Sequence, residues 1–447
     1  MVKQHDFTEG NIVKQLFFFS APILITNLLQ VSYQFIDSLW VGNLIGADAL
    51  GAVALSGTVI FTVLSFVIGV NNAALTILSQ QKGKGNEAGL RRYLNAFVVL
   101  LTVMAIVLGV AGYLLAEPIL LLLGTPEKMV EMAASYLRIN FIGILFLFGY
   151  NFIGTAFRAM GDSKSPLYFV LTAVILNAVL DPFFIAVCGW GIEGAGYATV
   201  VSQGIAFLIG IYYSIKGSRI PFSKPHIPAR HEVLAILKLG IPAGLQMSVI
   251  SAGVMAIMSV VASFGPAVVA GYGAAQRLDS LIMLPAQALG TAVNSMAGQN
   301  IGAGRWDRVH LITRYGFLYN LIVMLILAFA IVLFADYGIR LFITETEAAD
   351  FGANYLKMIA FFYPFLGVNF ILNGAVRAAG AMFQVLVLNI ISFWVLRYPI
   401  TYFLSGLFGE KGIALGMGIS FIISSIIAFL YYRYGRWKKV NAIADGS

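Results

Sequence analysis

The chain has 447 residues, 60% of them hydrophobic and only 11% charged, with a formal net charge of +8. Soluble proteins carry about 25% charged residues, so the composition and a mean hydropathy of +0.88 exclude a water-soluble fold and require much of the surface to face lipid. The basic residues lie in short clusters between apolar runs, the topogenic pattern of a membrane protein, and no nucleic-acid motif accompanies them, so no nucleic-acid partner is expected.

Runs of about 18 or more apolar residues read as membrane spans. The first covers residues 16–41. It is too long for the core of a signal peptide, contains Asp37 and reads as a membrane helix. Further spans are predicted at 50–78, 93–115, 133–157, 166–187 and 192–215. A hydrophilic stretch with Pro221, Pro225 and Pro228 follows and reads as a linker. The second set covers 234–264, 268–296, 315–335, 354–376, 385–407 and 413–432. The expected fold is an all-α integral membrane protein with twelve transmembrane helices in two six-helix bundles: an N-terminal bundle at 1–218, a cytoplasmic linker at 219–233 and a C-terminal bundle at 234–447. Cys188 stands alone, so no intramolecular disulfide can form, and no Cys/His cluster suggests a metal. His5, His226, His231 and His310 fall in the N-terminal tail or in hydrophilic loops and are expected to be solvated.

Most of the basic residues lie in the tails, in the central linker or in loops after even-numbered spans, as with Lys82, Lys84, Arg91 and Arg92, or Arg305, Arg308 and Arg314. Loops after odd-numbered spans are acidic, as with Glu117, Glu127 and Glu131, or Glu345, Glu347 and Asp350. This asymmetry predicts a multi-pass protein of the cell membrane with both termini in the cytoplasm. Pairs of residues also recur at an offset of about 220, the length of an internal repeat. Pro22 matches Pro242, and Gln80 with Gly83 and Gly85 matches Gln299 with Gly302 and Gly304. Tyr136-Leu137-Arg138 matches Tyr355-Leu356-Lys357, Arg158 with Gly161 matches Arg377 with Gly380, and Tyr212-Tyr213 matches Tyr431-Tyr432. Five pairs in register argue for duplication. Each repeat has an even number of spans, so the halves share one orientation and a pseudo-twofold axis along the membrane normal, an arrangement that can rock to alternate access.

Only Asp37, Asp181 and Asp279, of 20 acidic residues, fall inside predicted spans, where a carboxylate is costly and therefore a candidate for function. Thr26, Asn27, Gln30, Tyr33, Gln34 and Asp37 form one polar stripe along the first span. Asn177 and Asp181 stand one turn apart on the fifth, Thr199, Ser202 and Gln203 share a face of the sixth, and Asn151 and Thr155 one of the fourth. Lipid cannot satisfy such stripes, so they are expected to meet in a cavity of the N-terminal bundle, with Gln30, Tyr33, Gln34, Asn151 and Gln203 as candidate substrate-lining residues. Asp37 lies near the outer end of its rising helix, and Asp181 lies roughly 22 Å above Pro166 at 1.5 Å per residue, so both belong to the outer half. Two carboxyl groups sharing a buried site can hold and release one proton. For Asp181 the alternative is structural, a side chain satisfying backbone groups disturbed by Pro182. Pro22 and Pro242 each remove a helix hydrogen bond, as a static kink or a gating hinge. Arg277 and Asp279 stand two residues apart, pointing to different sides near the outer interface, and Asn369, Asn373 and Arg377 share a face in the C-terminal bundle. The Gly42/Gly46, Gly240/Gly244 and Gly412/Gly416 pairs read as helix packing. No nucleotide-binding motif or nucleophile elbow occurs, so neither an ATP-driven pump nor an enzyme is expected.

Over essentially its whole length the chain resembles the multidrug and toxic compound extrusion (MATE) transporters. The resemblance is carried by Ala21-Pro22 followed by Asp37, Gly42 and Gly46, by Gln299-Asn300-Ile301-Gly302-Ala303-Gly304, and by Arg158-Ala159-Met160-Gly161-Asp162 with its echo at Arg377. It implies antiport of amphipathic, mostly cationic organic compounds against protons or sodium, without a cofactor. The sodium-coupled NorM-like branch carries acids on helices 7 and 10, where this chain has none. The DinF-like branch places its coupling site at residues matching Asp37, Asn177, Asp181 and Thr199, all retained here. The resemblance therefore favours proton coupling in a monomeric multidrug exporter, with sodium at the same cluster as the alternative. A lipid-linked oligosaccharide flippase of the same superfamily is a second alternative, for which more spans and a cationic central cavity are expected.

Overall fold

The computed structural model describes residues 6–216 and 220–440; His5 and the start of the predicted linker lie outside them. The first half contains α1 (Ile12–Leu44), α2 (Ala47–Gly83), α3 (Glu87–Leu122), α4 (Glu127–Ile142), α5 (Ile144–Ala159), α6 (Lys164–Pro182) and α7 (Gly191–Lys216). The second contains α8 (Arg230–Ala262), α9 (Pro266–Gly302), α10 (Trp306–Arg340), α11 (Thr346–Ala360), α12 (Tyr363–Ala378), α13 (Met382–Ile390), α14 (Tyr398–Phe408) and α15 (Lys411–Tyr434). Wider π-helical turns extend α6 over Phe183–Val187 and join α13 to α14 over Ile391–Arg397. Among the described residues nine continuous stretches are long and apolar enough to span a membrane, and two bent pairs raise the number to eleven. The rod α9, the most polar of the long helices, completes the twelve predicted spans.

Each predicted span coincides with a helix or a helix pair, but two of them are not straight. Residues 133–157 and 354–376 were expected to be continuous; α4 and α5 meet at 51°, and α11 and α12 at 57°. At the first break a Cβ on Gly143 would stand 2.4 Å from Val200 of α7, so only glycine admits that approach. At the second, Pro364 has no N–H to continue the helical ladder across Phe361 and Phe362. The repeated glycines of the sequence also find their reason. Gly85 and Gly304, and Gly161 and Gly380, end helices with φ of 66°, 72°, 83° and 86°, a left-handed conformation that a side chain strains.

Contacts divide the chain into two compact units. Among the described residues, one is Ala21–Gly240; the other combines Phe7–Ser20 with residues 241–440. The changeover therefore falls beside Pro22 and Pro242, not in the expected linker at 219–233. Local bonds explain this. Asn95 of α3 holds the backbone of His226 through two hydrogen bonds of 2.8 and 3.0 Å, and the buried Glu232 accepts from the Ala229 N–H. The Asn95 bonds, with the Arg92–Glu232 ion pair at 3.8 Å, pin the linker to α3. At the other end the fully buried Phe7 donates its N–H to Gln299 (3.2 Å), and its carbonyl accepts from Asn300 (2.9 Å) and Arg308 (3.0 Å). The Gln299-Asn300 motif thus binds the start of α1 into the second unit. His310 is also not a loop residue: it lies in α10 and contacts the Tyr432 hydroxyl (2.8 Å) and the Lys438 ammonium (3.0 Å).

Of the three small-residue pairs, one packs two backbones. A Cβ on Gly416 would stand 2.4 Å from Thr401 Cα, and one on Gly412 2.1 Å from the Leu404 carbonyl, so α15 lies directly on α14. Gly46 instead separates α1 from α2 at a φ of 121°. Gly416→Ala is expected to lower stability by about 1–3 kcal/mol, the cost of overpacking a close contact. Gly57→Ala, where the added methyl meets open space, should not. Thermal unfolding of the purified variants in detergent checks both.

Candidate functional site

Four helices of the first unit bring their polar residues together. From α1 come Tyr33 and Asp37, from α6 Asn177 and Asp181, from α7 Thr199, and from α4 Tyr136. Asp37 and Thr199 are 7% exposed, and Asn177 and Asp181 are fully buried. The carboxyl groups of Asp37 and Asp181 lie close enough to act on one another. The Tyr136 hydroxyl donates to Asp37 Oδ2 (3.4 Å), and Asn177 Nδ2 donates to Asp181 Oδ1 (3.1 Å). Tyr33 faces Thr199 across the same space.

The cluster is under-satisfied. Asp37 Oδ1, Asp181 Oδ2, Asn177 Oδ1, Thr199 Oγ1 and Tyr33 Oη are buried without a hydrogen-bond partner in the protein. Buried polar atoms in folded proteins nearly all have partners, and two carboxyl groups without a neighbouring base are costly. Among the described residues no Lys or Arg forms an ion pair with either acid. Two such carboxyls are relieved when a proton is shared between them or when a cation approaches. Local structure fixes the geometry. Asn177 and Asp181 are one turn apart, and Pro182 with the π turn that follows directs Asp181 inward. On α1 the Thr26 hydroxyl donates to the Pro22 carbonyl (2.7 Å), a local bond at the proline.

The structure separates the remaining candidates. Gln30 is exposed on α1 and meets the Tyr150 hydroxyl, near which the half-buried Arg158 lies. Asn151 donates to the Leu147 carbonyl (2.8 Å), a bond inside its own helix, and Gln34 is exposed. Gln203, one turn from Thr199, lines a small cavity with Asn140, Phe141 and Leu147. A larger cavity of about 520 Å³, between Lys82, Arg91, Ser214 and Phe222, lies at the loop ends of α2 and α7, away from the acids. Pro22 and Pro242 are inside continuous helices. Sequence reasoning did not place Tyr136 and Tyr150 at the site, because a tyrosine on an apolar helix looks like any lipid-facing aromatic. The signal for Tyr136 was its place in the repeat.

In the second unit Asp279 is half-buried. It accepts from Gln276 (3.2 Å), from Tyr355 (3.5 Å) and from Tyr363, while Arg277 points away to the Phe342 ring. Arg397, 5% exposed, lies between the rings of Phe393 (3.8 Å) and Phe421 (4.6 Å). On the other shared face, Asn369 donates to Ser424 (3.2 Å) and Asn373 is buried.

The MatE family profile matches the chain twice, over residues 22–183 and again over 242–403, which places the repeat at the offset seen in the sequence. The probable multidrug resistance protein YpnP of Bacillus subtilis is 62% identical over 99% of this chain and all of its own length. The probable multidrug resistance protein YoeA of the same organism is 30% identical over 97% of this chain and 96% of its own length. In fold, the crystal structure of the Vibrio cholerae MATE transporter VcmN in the bent form matches with a TM-score of 0.90 at 22% identity, covering 95% of this chain and 97% of that one. With the family profile covering both halves and the all-helical, twelve-span fold shared with solved members, the chain belongs to the MATE family of membrane transporters.

Proposed function

We propose that this transporter exports amphipathic, mostly cationic organic compounds across the cell membrane in exchange for protons, by alternating access, with Asp37 and Asp181 as the proton-binding pair. The observation that carries this reading is the meeting of two buried carboxyl groups without a basic partner, surrounded by unpartnered oxygen atoms. Asn177 positions Asp181, Tyr136 donates to Asp37, and Thr199 and Tyr33 complete the polar wall. The relatives named as multidrug resistance proteins support the substrate class. The charge asymmetry of the loops supports cytoplasmic termini.

One observation favours a second coupling ion. Every polar atom facing the cluster without a partner is an oxygen, the donor type that hard cations such as sodium prefer. The deciding experiment is ethidium efflux from cells or everted vesicles in sodium-free buffer under an imposed pH gradient, with and without a protonophore. Proton coupling gives efflux without sodium that collapses when the protonophore is added. Efflux that is absent without sodium and returns with it would move the coupling to sodium. Retention of ethidium and of other lipophilic cations under either gradient would overturn the export reading.

A further inference from the structure

The second unit contains a half-buried carboxyl group that the coupling site of the first unit does not use. Asp279 sits on α9, and its carboxylate is held by two tyrosines on the two arms of the bent span: Tyr355 on α11 donates to Oδ2 (3.5 Å), and Tyr363 on α12 donates to Oδ1. The 57° break lies between those two residues. One carboxyl group therefore ties together the arms of a discontinuous helix. Tyr355 also has a second acceptor, Met417 Sδ of α15 at 3.3 Å, and Tyr272 of α9 points to the same sulfur (3.7 Å). A hydroxyl has one proton to donate, so Tyr355 has a choice between carboxylate and thioether.

The repeat gives this arrangement a parallel. Tyr355 is the duplicated counterpart of Tyr136, and Tyr136 donates to Asp37 from the first arm of the other bent span. The acid has moved from the first helix of the repeat to the second, yet it meets the same tyrosine. The charges around Asp279 are also arranged to change. Its titratable neighbours are Tyr272 on its own helix, Tyr355 on α11, Tyr363 on α12 and, across Tyr272 and Tyr355, Arg397 on the π-helical turn; α10 and α15 add none to this set. Arg397 forms no ion pair among the described residues, and its Nε and Nη2 are buried without a partner. A buried guanidinium is costly without partners, and the groups that Arg397 has in common with Asp279 are Tyr272 and Tyr355.

We propose that Asp279 is a second protonation switch, which holds the two arms of α11 and α12 together through Tyr355 and Tyr363 and releases Tyr355 when it takes up a proton. In that step a proton from water forms an O–H bond at Oδ2. The Tyr355 O–H···O bond breaks and is remade to Met417 Sδ. The net charge of the set rises by one.

The test is infrared difference spectroscopy of the full-length protein in lipid, between about pH 5 and 8. Wild type should show an acid-induced carboxyl band accompanied by a change in a tyrosine band. An Asp37→Asn, Asp181→Asn double variant, in which the coupling pair contributes no carboxyl band, should keep both signals, and adding Asp279→Asn to it should delete both. The switch and the coupling pair of the first unit are thereby read separately, so either can fail without the other. Asp279→Glu, which keeps the acid, should move the carboxyl band instead of deleting it and remains informative where the Asn variant does not fold. Tyr355→Phe should keep the carboxyl band and lose the tyrosine change. In the Asp37→Asn, Asp181→Asn background, a carboxyl band unchanged by Asp279→Asn and by Asp279→Glu would overturn the proposal, as would a tyrosine change that survives Tyr355→Phe.

Discussion

Asp37→Asn is expected to reduce coupled efflux to the level of cells without the transporter, with the protein still produced and folded. Asparagine keeps the size of the side chain, and its oxygen can still accept from Tyr136, but it can neither carry a proton nor offer a negative charge. The cost to folding should be small, because Asp37 forms no ion pair and one of its carboxyl oxygens is unpartnered in any case. The cost to transport is the whole coupling step. One elementary charge moved across about 100 mV corresponds to about 2.3 kcal/mol, so a monovalent cation expelled against that field needs a compensating charge movement. With one proton entering for each cation leaving, the exchange is electroneutral and runs on the pH gradient alone. Proton-driven efflux at the wild-type rate by a well-expressed Asp37→Asn variant would remove Asp37 from the coupling site.

The second large effect is expected at the partner. Asp181→Asn removes one carboxyl of the facing pair, and Asn177→Ala removes the 3.1 Å hydrogen bond that holds the other end of Asp181. A hydrogen bond to a charged group contributes about 1.5–3 kcal/mol, and one pH unit corresponds to about 1.36 kcal/mol. Each substitution is therefore expected to move the pH of half-maximal efflux by about one unit or more. The measurement is the initial efflux rate across a series of buffer pH values for wild type and both variants. Superimposable profiles would leave Asp181 and Asn177 with a structural role at the proline and π turn.

Much of this architecture could be read from residue order, and the reasons are physical. Membrane spans follow from apolar length, so every predicted span falls on a helix or a helix pair, although the helices run as far as Trp306 where the span was expected to begin at 315. The repeat was visible because its marker residues are glycines that end helices, prolines inside them and a tyrosine that meets an acid. The two bends were not legible. Gly143 is one glycine among 46, and its importance comes from Val200 on a different helix. The contacts change over beside Pro22 and Pro242 and not at the proline-rich loop, because Asn95 fastens that loop to α3, which residue order alone does not reveal. At the site, the spacing of Asp37, Asn177, Asp181 and Thr199 placed each on a polar helix face, but a stripe cannot say which residues meet across helices. Gln34 shared the stripe and is exposed. Asp279 looked interfacial because only the fold reveals the tyrosines from α11 and α12 that enclose it.

The most direct test is whether drug and proton exclude one another. A cation is drawn to the site when the acidic pair is charged, and an arriving proton removes that charge, so affinity should fall on acidification and binding should release protons by linkage. The measurement is calorimetric or fluorescence binding of a permanently charged drug to the purified protein in detergent, across roughly pH 5 to 8, in buffers of different ionisation enthalpy. The expected result is affinity that weakens toward low pH together with proton release on binding, both lost in Asp37→Asn. Affinity that is flat over that range, with no proton released, would contradict direct competition at Asp37 and Asp181.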